Sequence, residues 1–232
     1  MDLTHLIAIA AALGWASGLR LYAVVFAIGA LGWMGWLDLP AGLVILQHPL
    51  VLGASFVLGL LEFFADKIPG LDTLWDSVHT LVRIPAGAAL AGAVIGGDPA
   101  NWGAAWTTVA ALAGGSLAAT AHAAKATTRA AANTSPEPFS NIALSLAGDA
   151  TVPLMLWLAW SHPLWFFPLL AVAVVLALTL VFVLLKFLRS IATRLAGNAM
   201  AANAEAHLGD LPPMPVAEAS GDAPAGLAGG RH

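Results

Sequence analysis

Apolar residues fill most of the chain in long runs that short polar segments separate. The runs cover residues 6–36, 49–64, 78–95, 102–132, 142–160 and 164–185. A helix needs about 20 predominantly apolar residues to cross the hydrocarbon core of a bilayer. We therefore expect each run to form a membrane-spanning helix, and the pattern predicts an all-α transmembrane bundle of about six spans.

The first run is too long for one straight span, and it contains Arg20 near its middle. An arginine at that depth reaches the interface only with difficulty unless the helix breaks close to it. Glycines such as Gly14 and Gly18 permit both a bend and close helix packing. We therefore expect a tilted, kinked or broken first helix. Gly92 and Gly96 offer similar packing positions in the third run.

Prolines occupy similar places in two pairs of predicted helices. Pro69 and Pro136 lie in the connections after the second and fourth runs, and Pro85 and Pro153 lie within the helices that follow. Two similar halves with Pro-broken polar connections are common in transporters. The alternative is that proline is simply frequent in membrane helices. Both interpretations stay open on the sequence alone.

Composition supports the membrane assignment and excludes other classes. Only 9% of the residues are charged and 59% are hydrophobic, whereas soluble domains average about 25% charged residues. The chain contains no cysteine, which excludes disulfides and thiol catalysis, and its formal net charge is −4. There is no run of basic residues of the kind that binds nucleic acid, so we expect the lipid bilayer as the main partner.

The distribution of basic residues predicts the orientation. If six spans alternate, one side receives Lys67, Lys125, Arg129, Lys186, Arg189 and Arg194. The positive-inside rule then places both termini in the cytoplasm. Tryptophans cluster near the other side, as expected of an interfacial belt: Trp33, Trp36, Trp102, Trp106, Trp160 and Trp165.

Residues 1–196 form the predicted transmembrane domain, and the Ala, Gly and Pro-rich residues 197–232 form a predicted disordered cytoplasmic tail.

Ionisable residues inside spans are costly, so the few present here are candidate functional residues. Asp76, His79 and Arg83 share one helical stripe, and His122, Lys125 and Arg129 repeat the same spacing. The predicted pathway or substrate-binding residues are Arg20, Glu62, Asp66, Asp76, His79, Arg83, His122, Lys125, Arg129, Asn133, Glu137 and Asp149. The alternative is mutual neutralisation of these charges in a purely structural cluster.

Two acids have more specific expectations. Asp149 is isolated within the fifth run and needs a cationic partner, for which Arg20 and Arg83 are the candidates. Asp72 is expected to cap the third helix through its carboxylate.

A divalent metal is a further alternative, because carboxylates and histidine bind Mg²⁺ or Mn²⁺. The weak candidates for such a site are Glu62, Asp66, Asp76 and His79, with Asp72 nearby. No HExxH, GxSxG or P-loop motif is present, and the sequence assigns no catalytic residue or known cofactor.

Three segments resemble a known family. They are SGLRLY, EFFADKIPGLDTLWDSVHTLVRIPAG and HAAKATTRAAANTSPEPFSNIALSLAGD. They are similar to the bacterial membrane family catalogued as domain of unknown function 4126, over roughly residues 4–195. The resemblance implies a small multi-span protein of the bacterial inner membrane, and it implies no catalytic residue and no substrate.

Three functions remain on the sequence. The first is a transporter or channel for a small solute or an anionic group, lined by the polar residues named above. The second is a membrane-embedded enzyme that acts on a lipid phosphate with a carboxylate-bound metal. The third is an assembly or scaffold protein. A small solute or lipid headgroup is the expected ligand, and glycine-mediated contacts are compatible with a homo-oligomer.

Overall fold

The computed structural model describes residues 1–68, 70–97, 99–134 and 138–209. These residues form helices and no strand: α1 (Leu3–Trp33), a 3₁₀ helix (Ala41–Gln47), α2 (Pro49–Ala65), α3 (Leu71–Gly96), α4 (Pro99–Ala132), α5 (Pro138–Ser161) and α6 (Pro163–Gly209). The predicted all-α bundle is confirmed. Pro69, Pro136 and Glu137 lie outside the described residues, and the suggestion of two similar halves stays a prediction.

Five of the described helices are long and apolar enough to cross a membrane. The 3₁₀ helix and α2, which are bent by 71° relative to each other, add a sixth candidate if they act as one span. This agrees with the sequence-based expectation of about six spans. It shows a multi-pass α-helical membrane protein by length and composition.

Helix α1 is broken at Arg20, whose backbone is non-helical with φ −146° and ψ 69°. The first arm, residues 3–19, lies along α4. Gly14 packs against Gly114, and Gly18 packs against Ala118, so the first arm runs in the same direction as α4. The residues meet at glycine and alanine because only small side chains let two helix backbones approach this closely.

The second arm of α1, residues 21–33, lies along α2 in the opposite direction. Phe26 contacts Phe56 with ring centroids 5.2 Å apart, and Gly29 lies against Leu52. Helices α2 and α4 run the same way, because Asp66 after the end of α2 contacts Lys125 late in α4. The two arms are therefore antiparallel, and α1 is a helical hairpin with Arg20 at its tip.

The hairpin defines two ends of the bundle. At the charged end lie the tip of α1, the last turn of α2, the first turns of α3 and the last turns of α4. At the opposite end α1 both begins and ends. We call it the tryptophan end because described tryptophans lie near it: Trp33, Trp36, Trp106, Trp160 and Trp165.

The hairpin also forms the centre of the core. Ala8, Ile9, Leu13 and Ala16 of the first arm are fully buried. Helices α3 and α4 pack against this arm, whereas α6 contributes Phe166 and leaves most of its apolar surface exposed for lipid. Burial of small residues brings the backbones close together, which positions the polar side chains of three helices around the hairpin tip.

The chain divides into two compact units, Met1–Arg189 and Ser190–His232. In the second unit α6 continues to Gly209, so residues 197–209 are helical where we expected the tail to begin. The segment AGNAMAANAEAH is rich in alanine, the strongest helix former, which accounts for the extension. Residues 210–232 of the expected tail lie outside the described residues.

Candidate functional site

Charged side chains of the bundle converge at the charged end. We call this set the charge cluster. It contains five acids and five bases: Glu62, Asp66, Asp72, Asp76, Asp149, Arg20, Lys67, Arg83, Lys125 and Arg129. If all ten are ionised, their charges cancel. Helical spacing brings them together, because residues four or seven apart share a face of their helix.

Asp66 is the centre of one half of the cluster and is fully buried. Its carboxylate lies 2.8 Å from Arg20 Nη1, 3.1 Å from Lys125 Nζ and 3.0 Å from Arg129 Nη1. Lys125 also donates to the carbonyl of Leu19 at 3.1 Å, at the open end of the first arm of α1. Three cations around one carboxylate leave an excess of positive charge at this point.

Arg83 is the centre of the other half and is also fully buried. It donates to Glu62 Oε1 at 2.6 Å and to Asp76 Oδ1 at 2.8 Å. Arg83 Nη1, the nitrogen that donates to Asp76, also lies 3.1 Å from His122 Nδ1. His122 Nε2 is 2.7 Å from the hydroxyl of Thr80. This half therefore has two carboxylates for one arginine, and Lys125 joins the halves by contacting Asp76 at 3.2 Å.

Asp149 pairs with Arg20 rather than with Arg83, which decides between its two predicted partners. Arg20 Nη2 lies 2.7 Å from Asp149 and donates to Ser145 Oγ at 2.9 Å. Lys67 Nζ lies 3.7 Å from Asp149 and 3.1 Å from the centre of the Phe63 ring. Burial lowers the pKa of Lys67 below its ordinary value, and the Asp149 carboxylate acts in the opposite direction.

Asp72 is the second residue of α3 and not its N-cap, which is Gly70 without a side-chain cap hydrogen bond. Its Oδ1 accepts hydrogen bonds from the backbone N–H of Thr73 at 2.7 Å and of Gly70 at 2.9 Å, in the first turn of α3. Asn133 Nδ2 donates to the same oxygen at 3.2 Å, and Arg129 lies 3.7 Å away. Asp72 therefore joins the start of α3 to the end of α4.

Sequence reasoning placed His79 in the polar stripe and did not single out Lys67 and Ser145 as site residues. His79 stacks on Trp75 with ring centroids 4.0 Å apart and contacts the Trp75 carbonyl, so it lies beside the cluster without pairing to an acid. Ser145 precedes Asp149 by one helical turn, a spacing that predicts a shared face. Lys67 directly follows Asp66, and its position depends on how the connection folds.

Four polar atoms inside the cluster are buried and have no hydrogen-bond partner among the described protein atoms. They are Glu62 Oε2, Asp76 Oδ2, Arg83 Nε and Asp149 Oδ2. Buried polar groups in proteins are nearly always hydrogen-bonded to protein, water or a ligand. The cluster therefore has capacity for further polar contacts beyond the ion pairs.

A cavity of about 230 Å³ lies beside the Asp66 half of the cluster, between α1, α4, α5 and α6. Its charged wall consists of Arg20, Lys125, Arg129 and Asp66. Hydroxyls of Thr128, Ser145 and Thr151 and apolar residues including Leu144 and Leu180 form the rest. We call it the cationic cavity, because three cations and one carboxylate face it.

A second cavity of about 220 Å³ lies on the other side of Arg20, between α1, α2 and α5. Arg20 lines both cavities, and Asp149 lines the second one. The contact between Arg20 and Asp149 therefore lies between the two cavities. Phe26, Phe56 and Leu60 make the rest of the second cavity mainly apolar.

The weak metal candidates do not gather around a common point. Glu62 and Asp76 both contact Arg83, Asp66 contacts Arg20, Lys125 and Arg129, and His79 stacks on Trp75. Within the described residues there is no group of three or more His, Asp or Glu side chains that fits a metal ion. The carboxylates that a metal would need already pair with arginine and lysine side chains.

The helical bundle and its apolar spans define a multi-pass α-helical membrane protein, here with a buried charge cluster and a cavity beside it. A family model described as Domain of unknown function (DUF4126) matches residues 7–186, more than half of the chain, and the chain belongs to that family. No curated protein and no solved structure matches the chain. The resemblance in the sequence is thus confirmed at the level of the family.

Proposed function

We propose that the protein is a membrane transporter or channel that moves a small solute or an anionic group through the cationic cavity. The observation that supports this most directly is the cavity itself, because buried cations of the helical bundle line an open space. Intramembrane ionisable residues usually mark substrate or ion pathways. Besides the residues that line the cationic cavity, the proposed path includes further predicted polar residues, with Asn133 at its edge. They are Glu62, Asp76, Arg83, His122 and Asp149.

The break in α1 supports transport as well. Transporter sites are often built from discontinuous helices whose half-helix ends face the substrate near the middle of the membrane. Here the first arm ends at Leu19 and the second begins after Arg20, beside the cationic cavity. The break supplies a backbone end and a guanidinium at the same place.

The Arg20–Asp149 contact is the proposed gate. It lies between the two cavities, and α5 holds Asp149 while α1 holds Arg20. An anion that binds Arg20 competes with Asp149 for the same guanidinium, so binding weakens the contact between the cavities. The solute itself would then drive opening.

We further propose that the protein lies in the bacterial inner membrane with the charged end toward the cytoplasm. The positive-inside rule supports this orientation, because Lys67 follows α2 at the charged end, and Lys186 and Arg189 lie in α6 directly after its apolar run. In this orientation the amino terminus lies on the opposite face, since α1 is a hairpin that begins and ends at the tryptophan end. That arrangement replaces the expectation that both termini are cytoplasmic.

The test measures the current that anion transport produces. The purified protein is reconstituted into liposomes, and the liposomes are adsorbed on a solid-supported membrane. Concentration jumps of phosphate, sulfate, acetate and chloride are applied to wild type, Arg83→Ala and Arg129→Ala. Arg189→Ala is the matched control, because Arg189 is exposed. We expect a current for at least one anion in wild type and Arg189→Ala. We expect a loss of at least about tenfold in the other two, because each removes a buried guanidinium from the path.

Two further measurements separate lost transport from lost folding. Each variant is checked by gel filtration and circular dichroism, and Arg129→Lys keeps the charge while removing the two-pronged guanidinium. Reduced current in well-folded Arg129→Lys supports the path. Wild-type currents in both alanine variants would contradict it.

An assembly or scaffold role is the second candidate, and the equal number of acids and bases in the charge cluster favours it. A fully neutralised cluster can stabilise a bundle without a solute. This role predicts no current for any anion and a stable homo-oligomer or partner complex on purification. The enzyme alternative has no such observation in its favour, because the carboxylates it requires are paired with cations.

A further inference from the structure

We infer that the cationic cavity binds a phosphate group, and that an anionic phospholipid presents this phosphate by entering between α4 and α5. The inference rests on the proposed function for the importance of this cavity, and it adds the chemical class of the ligand. Charge, free hydrogen-bonding capacity, room and access each support it.

Charge favours an anion in this cavity. Arg20, Lys125 and Arg129 lie on its wall with Asp66 as the only charged residue of opposite sign. Each of these cations also contacts a second acid that does not line the cavity: Arg20 contacts Asp149, Lys125 contacts Asp76 and Arg129 contacts Asp72. The cavity therefore lies at the positive edge of a neutral cluster.

Arg129 has hydrogen-bonding capacity left over. Its Nη1 donates to the Asp66 carbonyl at 3.1 Å and pairs with the Asp66 carboxylate at 3.0 Å. Its Nε is 4.0 Å from Asp76 Oδ2, too far for a hydrogen bond. Among the described residues, neither Nε nor Nη2 has a hydrogen-bond partner, although the residue is only 3% exposed. A guanidinium fork matches the oxygens of a phosphate in geometry and charge.

Ser145 supplies a neutral donor at the same wall. Its Oγ accepts hydrogen bonds from Arg20 Nη2 at 2.9 Å and from Lys67 Nζ at 3.3 Å. Both lone pairs are thus engaged by cations, which leaves the hydroxyl proton available for donation to another acceptor. A phosphate oxygen is an acceptor of this kind. The cavity volume of about 230 Å³ is far above the ~10–15 Å³ that one water molecule requires.

Access from the lipid distinguishes this cavity from a purely aqueous site. Helices α4 and α5 make few contacts with each other, which leaves an opening between these two helices. The apolar residues Leu144 of α5 and Leu180 of α6 border the cavity. Leu144 and Leu180 belong to the candidate spans Ile142–Ser161 and Pro163–Arg194, and Leu180 is 41% exposed. A lipid can therefore lay its acyl chains along α5 and α6 while its phosphate reaches the cations.

Gly148 offers a variant that closes the cavity without removing a charge. It lines the cavity, and a Cβ built on it meets no atom within 4 Å. Gly148→Leu therefore extends into the open space and leaves every ion pair in place. Gly53→Leu is the matched control, because Gly53 is also in a helix with open space around its Cβ, on the exposed side of α2 away from the cavity.

The experiment is a native mass spectrometry titration of the full chain with phosphatidic acid, diacylglycerol and inorganic phosphate. Phosphatidic acid and diacylglycerol with the same chains differ only in the phosphate. We expect wild type and Gly53→Leu to bind phosphatidic acid at least about tenfold more tightly than diacylglycerol, the difference of one charge-assisted contact. We expect Gly148→Leu to lose that preference.

Each outcome decides a separate point. Equal binding of the two lipids, or unchanged binding in Gly148→Leu, would overturn the site. Binding of inorganic phosphate alone, lost in Gly148→Leu, would keep the phosphate site and overturn the lipid as its source. Retained phosphatidic acid binding in a protein without anion current would remove the proposed transport and leave the site standing.

Discussion

Asp66 shows how single residues hold this bundle together. Its carboxylate receives three cations from two other helices, so one acid connects α1 and α4 to the end of α2. Buried ion pairs of this kind do not always stabilise a fold relative to apolar packing, because both partners lose hydration. Removing one partner is costly in any case, since the others then lie buried without compensation.

We therefore expect Asp66→Asn to lower the free energy of unfolding by about 3–5 kcal/mol, the usual effect of breaking a buried pair. Unfolding by sodium dodecyl sulfate in mixed micelles measures it. Asp38→Asn is the control, because Asp38 is exposed in the connection after α1. A loss below about 1 kcal/mol, typical of a surface pair, would show that the cations around Asp66 find other partners.

The sequence predicted which charged residues meet better than it predicted their partners. Positions four or seven apart must share a helix face, so the stripes containing Arg83 and Arg129 followed from spacing alone. The choice of Arg20 as the partner of Asp149 depends on how α5 packs against α1, and spacing within one helix carries no such information. His79 lies on the right stripe but turns toward Trp75, because stacking on that ring competes with the polar interior.

At the scale of elements, α1 resolves a conflict of length. A straight helix of 31 residues would extend about 46 Å, well beyond the ~30 Å hydrocarbon core. The arms of residues 3–19 and 21–33 extend about 26 Å and 20 Å, so both fit within the core. The excess length and Arg20 predicted a break. The reversal of direction could not be predicted, because hydrophobicity is the same for a kinked span and a hairpin.

Close packing of the first arm on α4 leads to a prediction about Gly14. A Cβ on Gly14 would lie 2.7 Å from the Cα of Gly114, and backbone atoms cannot move aside cheaply. We expect Gly14→Ala to destabilise the protein by about 1–3 kcal/mol, as overpacking does. Thermal unfolding monitored by circular dichroism measures the change.

Gly53→Ala is the control for this prediction. Its Cβ meets open space, so alanine there is expected to be neutral or to stabilise by up to about 1 kcal/mol through helix propensity. Equal effects of the two substitutions would mean that α1 and α4 are not held at the close approach described above.

At the scale of the whole molecule, the hairpin fixes which surface positions share a side of the membrane. The chain has no cysteine, so single cysteines can be labelled without background. We expect Leu3→Cys and Trp36→Cys to react with an impermeant maleimide from one side and Lys186→Cys from the other. The reason is that α1 returns to its starting side, whereas α6 runs from the tryptophan end toward the charged end.

A straight first span makes the opposite prediction for this labelling. Leu3→Cys and Trp36→Cys would then react from different sides, and the hairpin would be excluded. Labelling of all three after detergent solubilisation confirms that each cysteine is accessible and that protection comes from the membrane.

The number of long apolar helices followed from the sequence because each apolar run forms one helix. The position of the amino terminus relative to the charged end did not follow, since it changes with a single reversal at Arg20. The Ala, Gly and Pro-rich composition after residue 196 indicated a tail, whereas α6 continues to Gly209 because the alanine content of this segment favours helix.

The tip of α1 has a consequence for the way the protein is made. Arg20 leaves the ribosome first among the residues of the charge cluster, whereas Asp66 and Asp149 are synthesised 46 and 129 residues later. Until those acids arrive, Arg20 has no partner within the bilayer, and its solvation penalty keeps the tip near water. We therefore expect the first segment to be translated to be among the last to settle in the membrane, after α5 has emerged.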